Sequence, residues 1–200
     1  MKRFLQSLTA IFVVAFATTS FAGDAAGAKV FLDKVASDVL AIVKDAGASK
    51  EAKQKKIEAL FADKVDIAFV AKFVLGKHWR TATPKQQQDY MTAYKPFILK
   101  NYASKLTKYS GQTYVLKNQH MEDNIAVVTM EIVDASGTNV VVDYRLGDAG
   151  AGKYKINDIV VEGVSLLTTQ RAEFGSIVEQ HNVDYLIAAL QKQVATVAAN

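Results

Sequence analysis

Ala126-Val127-Val128-Thr129-Met130-Glu131-Ile132-Val133 and, one turn later, Thr138-Asn139-Val140-Val141-Val142-Asp143-Tyr144-Arg145-Leu146 decide the fold. Side chains in both stretches alternate with a period of two, the spacing of a strand with one buried and one wet face. Thr113 to Lys117 and Lys153 to Val161 read the same way, and turn residues such as Glu122-Asp123-Asn124 and Ser136-Gly137 separate the four runs. Connections this short predict an antiparallel meander. One face of strands two to four carries Val128, Met130, Ile132, Val140, Val142, Tyr144, Leu146, Tyr154, Ile156 and Val160. The other carries Thr129, Glu131, Asp143, Arg145, Lys155 and Asn157. Strict alternation puts Asp158 among the inward positions, and a bulge that turns it outward is the favoured reading.

Before Gly111 the period is that of a helix. Phe31, Leu32, Val35, Val39, Ile42 and Val43 recur at steps of three and four ahead of Gly47. A Lys-rich helix opens at Ser49, and a short third one is capped by Asp66 and closed by Gly76. Thr83-Pro84-Lys85-Gln86 combines a capping-box pair with proline at the first helical position. The long helix that follows contains Pro96, which must kink or divide it because proline has no N–H for the carbonyl four residues back. After the strands come a helical segment bearing Arg171 and Phe174 and a last helix capped by Asn182. The pattern predicts an α+β fold: a curved four-stranded antiparallel sheet with N-terminal and C-terminal helices covering its apolar face.

The chain begins Met1-Lys2-Arg3, continues with an apolar run from Phe4 to about Ala17, and reaches small residues at Ser20 and Ala22. This predicts a secretory signal peptide over 1–22, with 23–200 as one mature domain. Secretion makes nucleic acid an improbable partner, whatever the basic pI of about 9.1 suggests. Charge is unevenly placed: 23–108 holds 16 basic and 9 acidic residues, whereas 109–200 holds 6 and 11. A basic N-terminal half suits anionic headgroups or an acidic protein surface.

Catalytic and metal signatures are sparse. There is no cysteine, and His78, His120 and His181 lie too far apart in sequence for a helical metal pair. Gly163-Val164-Ser165-Leu166-Leu167 ends in leucine where a nucleophile elbow needs glycine. The glycines between 147 and 152 lack phosphate-loop spacing. Asp158 alone offers an acid for an enzyme of the isomerase or hydratase type in a cone-shaped cavity.

Val74-Leu75-Gly76-Lys77-His78-Trp79-Arg80-Thr81-Ala82-Thr83-Pro84, then Asn101-Tyr102-Ala103 with Leu106, then Asp158 to Leu166 with Glu162-Gly163-Val164-Ser165-Leu166, followed by Arg171, make the sequence resemble a known family. This is the periplasmic phospholipid-binding component of the Mla system, also called the toluene-tolerance auxiliary family. The resemblance implies a non-enzymatic periplasmic shuttle, acting as a monomer without cofactor and carrying phospholipid as cargo. Its partners would be an outer-membrane lipoprotein complex and an inner-membrane ABC transporter with a substrate-binding ring. Two acyl chains bury on the order of thirty CH₂ groups at ~0.8 kcal/mol each, a gross ~24 kcal/mol before ordering costs. On that reading Val128, Met130, Val140, Val142, Tyr144 and Val160 form the sheet wall of the lipid pocket. Phe73, Leu75, Trp79, Phe97, Ile98, Tyr102 and Leu106 face it, with Val164 and Leu166 near one end. Lys77, Arg80, Lys100 and Lys105 are the candidates for docking acidic partners.

Overall fold

The computed structural model describes residues 24–107, 111–133, 136–150 and 152–199; the expected leader lies outside them. Five helices come first: α1 (Ala25–Lys44), α2 (Lys50–Lys64), α3 (Ile67–Leu75), α4 (Lys77–Thr81) and α5 (Pro84–Leu106). The strands β1 (Thr113–Glu122), β2 (Ile125–Val133), β3 (Asn139–Asp148), β4 (Tyr154–Val161) and β5 (Val164–Ser165) follow, and α6 (Leu166–Gln180) and α7 (Val183–Ala199) end the chain. Every helix start but that of α4, which begins at Gly76 without one, has a side-chain cap. Asp24, Ser49, Asp66 and Ser165 accept from the backbone N–H three residues on, as Asn182 does from Tyr185. Thr83 and Gln86 close the reciprocal capping box of α5. Pro96 does not divide α5, which runs through all 23 residues.

The sheet is an antiparallel meander in the order β1-β2-β3-β4-β5. The fifth strand is a two-residue addition to the four expected, made by a turn at Glu162-Gly163 where both residues have positive φ (49° and 79°). A non-glycine residue rarely adopts that conformation. It is held here by Val141, whose carbonyl accepts from the Glu162 N–H at 3.0 Å and whose own N–H donates to the Glu162 carboxylate at 2.6 Å.

Two bulges set the register. On β1 the pairing slips between Leu116 and Gln119, which lets the strand run to Glu122, five residues beyond the point where its alternation breaks. On β4 the extra residue is Asn157: Leu146 pairs with Ile156, but Arg145 pairs with Asp158. Asn157 lies over Gly147 so closely that a Cβ there would sit 2.5 Å from the amide nitrogen, and a side chain at 147 would oblige that amide to move. Beyond the bulge the faces exchange. Ile159 and Val161 align with Tyr144 and Val142 on the apolar face, whereas Val160 aligns with Asp143. The expectation that Val160 belongs to the apolar wall is thus corrected, because one inserted residue moves every later side chain to the opposite face.

Apolar burial divides into two clusters. Ala28, Leu32 and Val35 of α1 close over Ala126, Val128, Met130, Leu146, Tyr154 and Ile156. Helices α3, α5, α6 and α7 gather around Tyr90, Tyr94, Phe97, Phe174, Leu186 and Leu190 in a core of their own. Among the described residues α1 lies against β1 and β2, whereas α2, α3 and α6 meet the sheet at β4. Val65 packs against both clusters and bridges to Ile156, while the Asp66 N–H donates to the Ile156 carbonyl at 3.0 Å. No helix among the described residues is long and apolar enough to cross a membrane.

Burial raises the Tyr90 and Tyr94 phenols far above their usual range, and it pushes Tyr144 up to about 12. An unfolded tyrosine ionises near pH 10. Between about pH 10 and 12 the unfolded chain therefore sheds protons that the folded chain keeps, so stability present below pH 10 is lost as pH rises. Urea midpoints should be level up to about pH 9 and fall steadily above about pH 10. A midpoint unchanged at about pH 11 would show that these phenols are not held neutral by the fold.

Candidate functional site

The expected wall is split between the two cores. On the sheet, Val128, Met130 and Val142 are buried, the first two beneath α1, while Val140 and Tyr144 are half-buried. On the helices, Leu75, Phe97 and Ile98 are buried in the helical core, and Phe73, Trp79, Tyr102 and Leu106 are half-buried. Val164 is 57% exposed and Leu166 half-buried at the start of α6. The residues divide because α1 takes part of the apolar face for itself. What stays half-buried on the sheet is the band Ile132, Val140, Tyr144, Ile159 and Val161. Ile132 and Val140 are cross-strand partners, as are Tyr144 and Ile159.

Tyr102 relates the C-terminal half of α5 to β4. Its phenol is raised by burial and then by the negative charges of Asp158 and Glu173. Lys105, one turn on, places its ammonium 5.7 Å from the centre of the Tyr102 ring. Half-buried apolar rings with polar tips suit a boundary between hydrocarbon and water.

Asp158 is fully engaged. Its Oδ1 accepts from the Ile159 N–H (2.8 Å) and the Leu167 N–H (3.1 Å), and its Oδ2 accepts from the Ser165 hydroxyl at 2.6 Å. Ser165 in turn caps α6 by accepting from the Thr168 N–H at 3.0 Å. The bulge does turn Asp158 to the side of Arg145 and Asp143, as expected. There it fastens β4 to the first turn of α6 rather than lining a cavity as an acid. The sequence reads Ser165 as a turn or cap residue, and it is the cap of α6; its bond to Asp158, seven positions back across a glycine turn, is what the sequence does not show. Arg171 makes a second fastening. Its guanidinium donates to the Phe73 carbonyl at 3.2 Å, at the end of α3. Gly76 has φ of 57° and passes within 3.0 Å of that guanidinium at the place a Cβ would occupy.

The remaining candidates are spread over the surface. Lys77 pairs with Glu179 at 2.6 Å, and Lys100 borders a cleft of about 270 Å³ between α5 and α7 together with Phe97, Asn101 and Val194. A second cleft, of about 470 Å³, lies between α1 and β1 beside Val30, Tyr114 and Leu116. Neither gathers the expected wall. Among the described residues no three His, Asp or Glu side chains converge as metal ligands would.

With Asp158, Ser165 and Leu167 joined in one network, truncation should be felt as stability. Asp158→Ala strands three donors and should cost about 2 to 4 kcal/mol in urea unfolding. Asp158→Asn, which keeps an acceptor oxygen, should cost less than half of that. Equal losses in the two variants would show that the acceptor role is not what matters.

Residues 33–192 match the MlaC protein family. The "Intermembrane phospholipid transport system binding protein MlaC" of Haemophilus influenzae is 24% identical over 136 residues, covering 66% of this chain and 63% of that protein. "Toluene tolerance protein ttg2D" of Pseudomonas putida is 25% identical over 122 residues, covering 60% of this chain and 56% of that protein. The match thus spans about three fifths of the length of these curated relatives. A phospholipid-binding protein from Ralstonia solanacearum, solved in complex with a phospholipid, has the same fold: TM-score 0.72 at 24% identity, over 86% of this chain and 98% of that one. With the family pattern running from within α1 to within α7, this chain belongs to the MlaC family.

Proposed function

We propose that this protein is a periplasmic phospholipid carrier. Its leader is removed after Ala22, 23–200 acts as one domain, and the cargo passes between an outer-membrane lipoprotein complex and an inner-membrane ABC transporter, maintaining lipid asymmetry. The observation that carries the reading is membership of a phospholipid-transport family across 160 residues, from 33 to 192. The split of the apolar core supports it. A chain that filled one core completely would leave no division, whereas here two clusters share Val65 beside β4 and a half-buried apolar band packs at the border of the sheet cluster.

We place the acyl chains against Ile132, Val140, Tyr144, Ile159 and Val161 of the sheet. Tyr102 and Leu106 of α5 complete the wall. The fully packed Val128, Met130, Leu75, Phe97 and Ile98 form the frame behind it. Burial of hydrocarbon alone, at ~0.8 kcal/mol per CH₂, supplies enough free energy to hold a lipid without headgroup chemistry. Arg80, Lys100 and Lys105, none of which has an ion pair among the described residues, are available to meet acidic partner surfaces. Lys77 would first have to give up Glu179. Nothing in the site favours an enzyme, since Asp158, the one acid proposed for it, already accepts three hydrogen bonds.

Native mass spectrometry of the protein purified from a cell envelope should find about one phospholipid per chain. Tyr144→Glu should abolish that occupancy while the circular dichroism melt stays cooperative, because a carboxylate in the half-buried band must be desolvated to admit hydrocarbon. A wild-type chain that stays empty after incubation with phospholipid vesicles would overturn the carrier reading.

A further inference from the structure

One surface face remains unexplained by a pocket for cargo. Phe69, Lys72 and Phe73 lie at helical steps of three and four on α3 and so share one side of it. Phe69 is 40% exposed, and its ring centre is 5.9 Å from that of Phe73. Cations are laid over the neighbouring rings: the Arg171 guanidinium is 4.8 Å from the centre of Phe73, and the Lys72 ammonium is 5.5 Å from the centre of Trp79. These contacts link five side chains from α3, α4 and α6 into two adjoining ring and cation pairs. Neither Lys72 nor Arg171 has an ion pair among the described residues, and 67–81 contains no acid. The nearest carboxylates in sequence and contact are committed elsewhere, Asp66 to the Phe69 N–H and Glu179 to Lys77.

Exposed phenylalanine costs free energy in water unless it has a use. Aromatic rings interleaved with unpaired cations form the chemistry that partitions into the headgroup layer. The rings sit at the edge of the hydrocarbon and the cations meet lipid phosphates. An acidic protein surface would satisfy the charges, but it would not by itself account for the exposed Phe69 beside the half-buried Phe73 at their centre. We propose that the face formed by Phe69, Lys72, Phe73, Trp79 and Arg171 docks reversibly on the surface of a membrane rich in anionic phospholipid. With only two cations and a shallow apolar contribution, the attachment is weak and salt-sensitive, as suits a protein that must leave again. Docking at this face is separate from holding cargo, and the two are separable in one experiment.

Trp79 is the single tryptophan of the chain, so its fluorescence reports on this face. The purified protein is mixed with phosphatidylcholine vesicles, with or without one part in three of phosphatidylglycerol, in which the acyl chains are brominated to quench tryptophan. Quenching is expected with the anionic vesicles only, reversed by high salt and by sedimenting the vesicles away. Quenching that persists in the supernatant after sedimentation reports cargo taken into the protein and is scored apart, by lipid extraction. The Phe69→Ala and Lys72→Glu variants should each weaken vesicle binding by about tenfold while leaving extracted cargo unchanged. Lys72→Arg should bind as the wild type does. Absence of reversible quenching with anionic vesicles would overturn the proposal even if cargo is extracted. So would vesicle binding untouched by either variant, or salt-sensitive retention on immobilised polyglutamate without vesicle binding, which would assign the face to an acidic protein instead.

Discussion

The molecule hangs on β4. Its first half pairs with β3 in the register that the apolar face requires, and then Asn157 is inserted and the faces exchange. That one residue aims the carboxylate of Asp158 at the start of α6, where it accepts from Ser165, Ile159 and Leu167. The same strand receives the junction of α2 and α3 through the Ile156 carbonyl. Among the described residues, β4 thus takes hydrogen bonds from both the α2–α3 junction and the start of α6. A bulge is costly to an ordinary strand, since it leaves a residue unpaired and disrupts the ladder. Here it is offset by the three bonds to Asp158.

Two cores joined beside one strand are what the proposed carrier would need to admit a ligand between them. A single jigsaw-packed core leaves no room, and emptying one costs stability in proportion to the cavity made. Dividing the apolar residues lets each cluster pack well by itself while the surfaces between them stay half-buried. The tyrosines mark the division. Tyr90 and Tyr94 are sunk in the helical core, with the Tyr94 hydroxyl donating to Gln170 at 2.6 Å and that of Tyr90 to the Ala71 carbonyl at 3.1 Å. Tyr102 packs at the border of the helical core and Tyr144 at that of the sheet cluster, half-buried positions that suit a ring with one polar tip.

Charge follows the same partition. The helical half carries most of the lysines, and many are tied locally: Lys85 to Asp89, Lys34 to Asp38 and Lys56 to Asp45, all exposed pairs that add little stability. Among the described cations without a carboxylate partner, Lys72, Lys105 and Arg171 lie over aromatic rings and Lys100 borders a cleft. An uneven field of this kind steers encounters with anionic surfaces more than it stabilises the fold.

Much of the architecture was legible in the sequence, because caps and periodicity are local. Ser49, Asp66, Thr83 and Asn182 fixed helix starts through bonds spanning three residues, and the alternation of 126–133 and 138–146 fixed a one-sided sheet. The resemblance carried by Leu75-Gly76, Trp79-Arg80 and the Glu162 to Leu166 stretch led to the family. Tertiary structure alone decided three things. It fixed the inserted residue of the expected bulge as Asn157 and so placed Val160 on the wet side, since the insertion is defined only by the pairing with β3. It assigned α1 rather than α5 to cover Val128 and Met130, since amphipathic stripes say that a face is buried but not against what. It turned Asp158 from a candidate acid into a fastener, because that role depends on donors brought to it by a turn and a helix start. Local hydrogen bonds are written in neighbouring residues; which surfaces meet is settled only when the whole chain competes for burial.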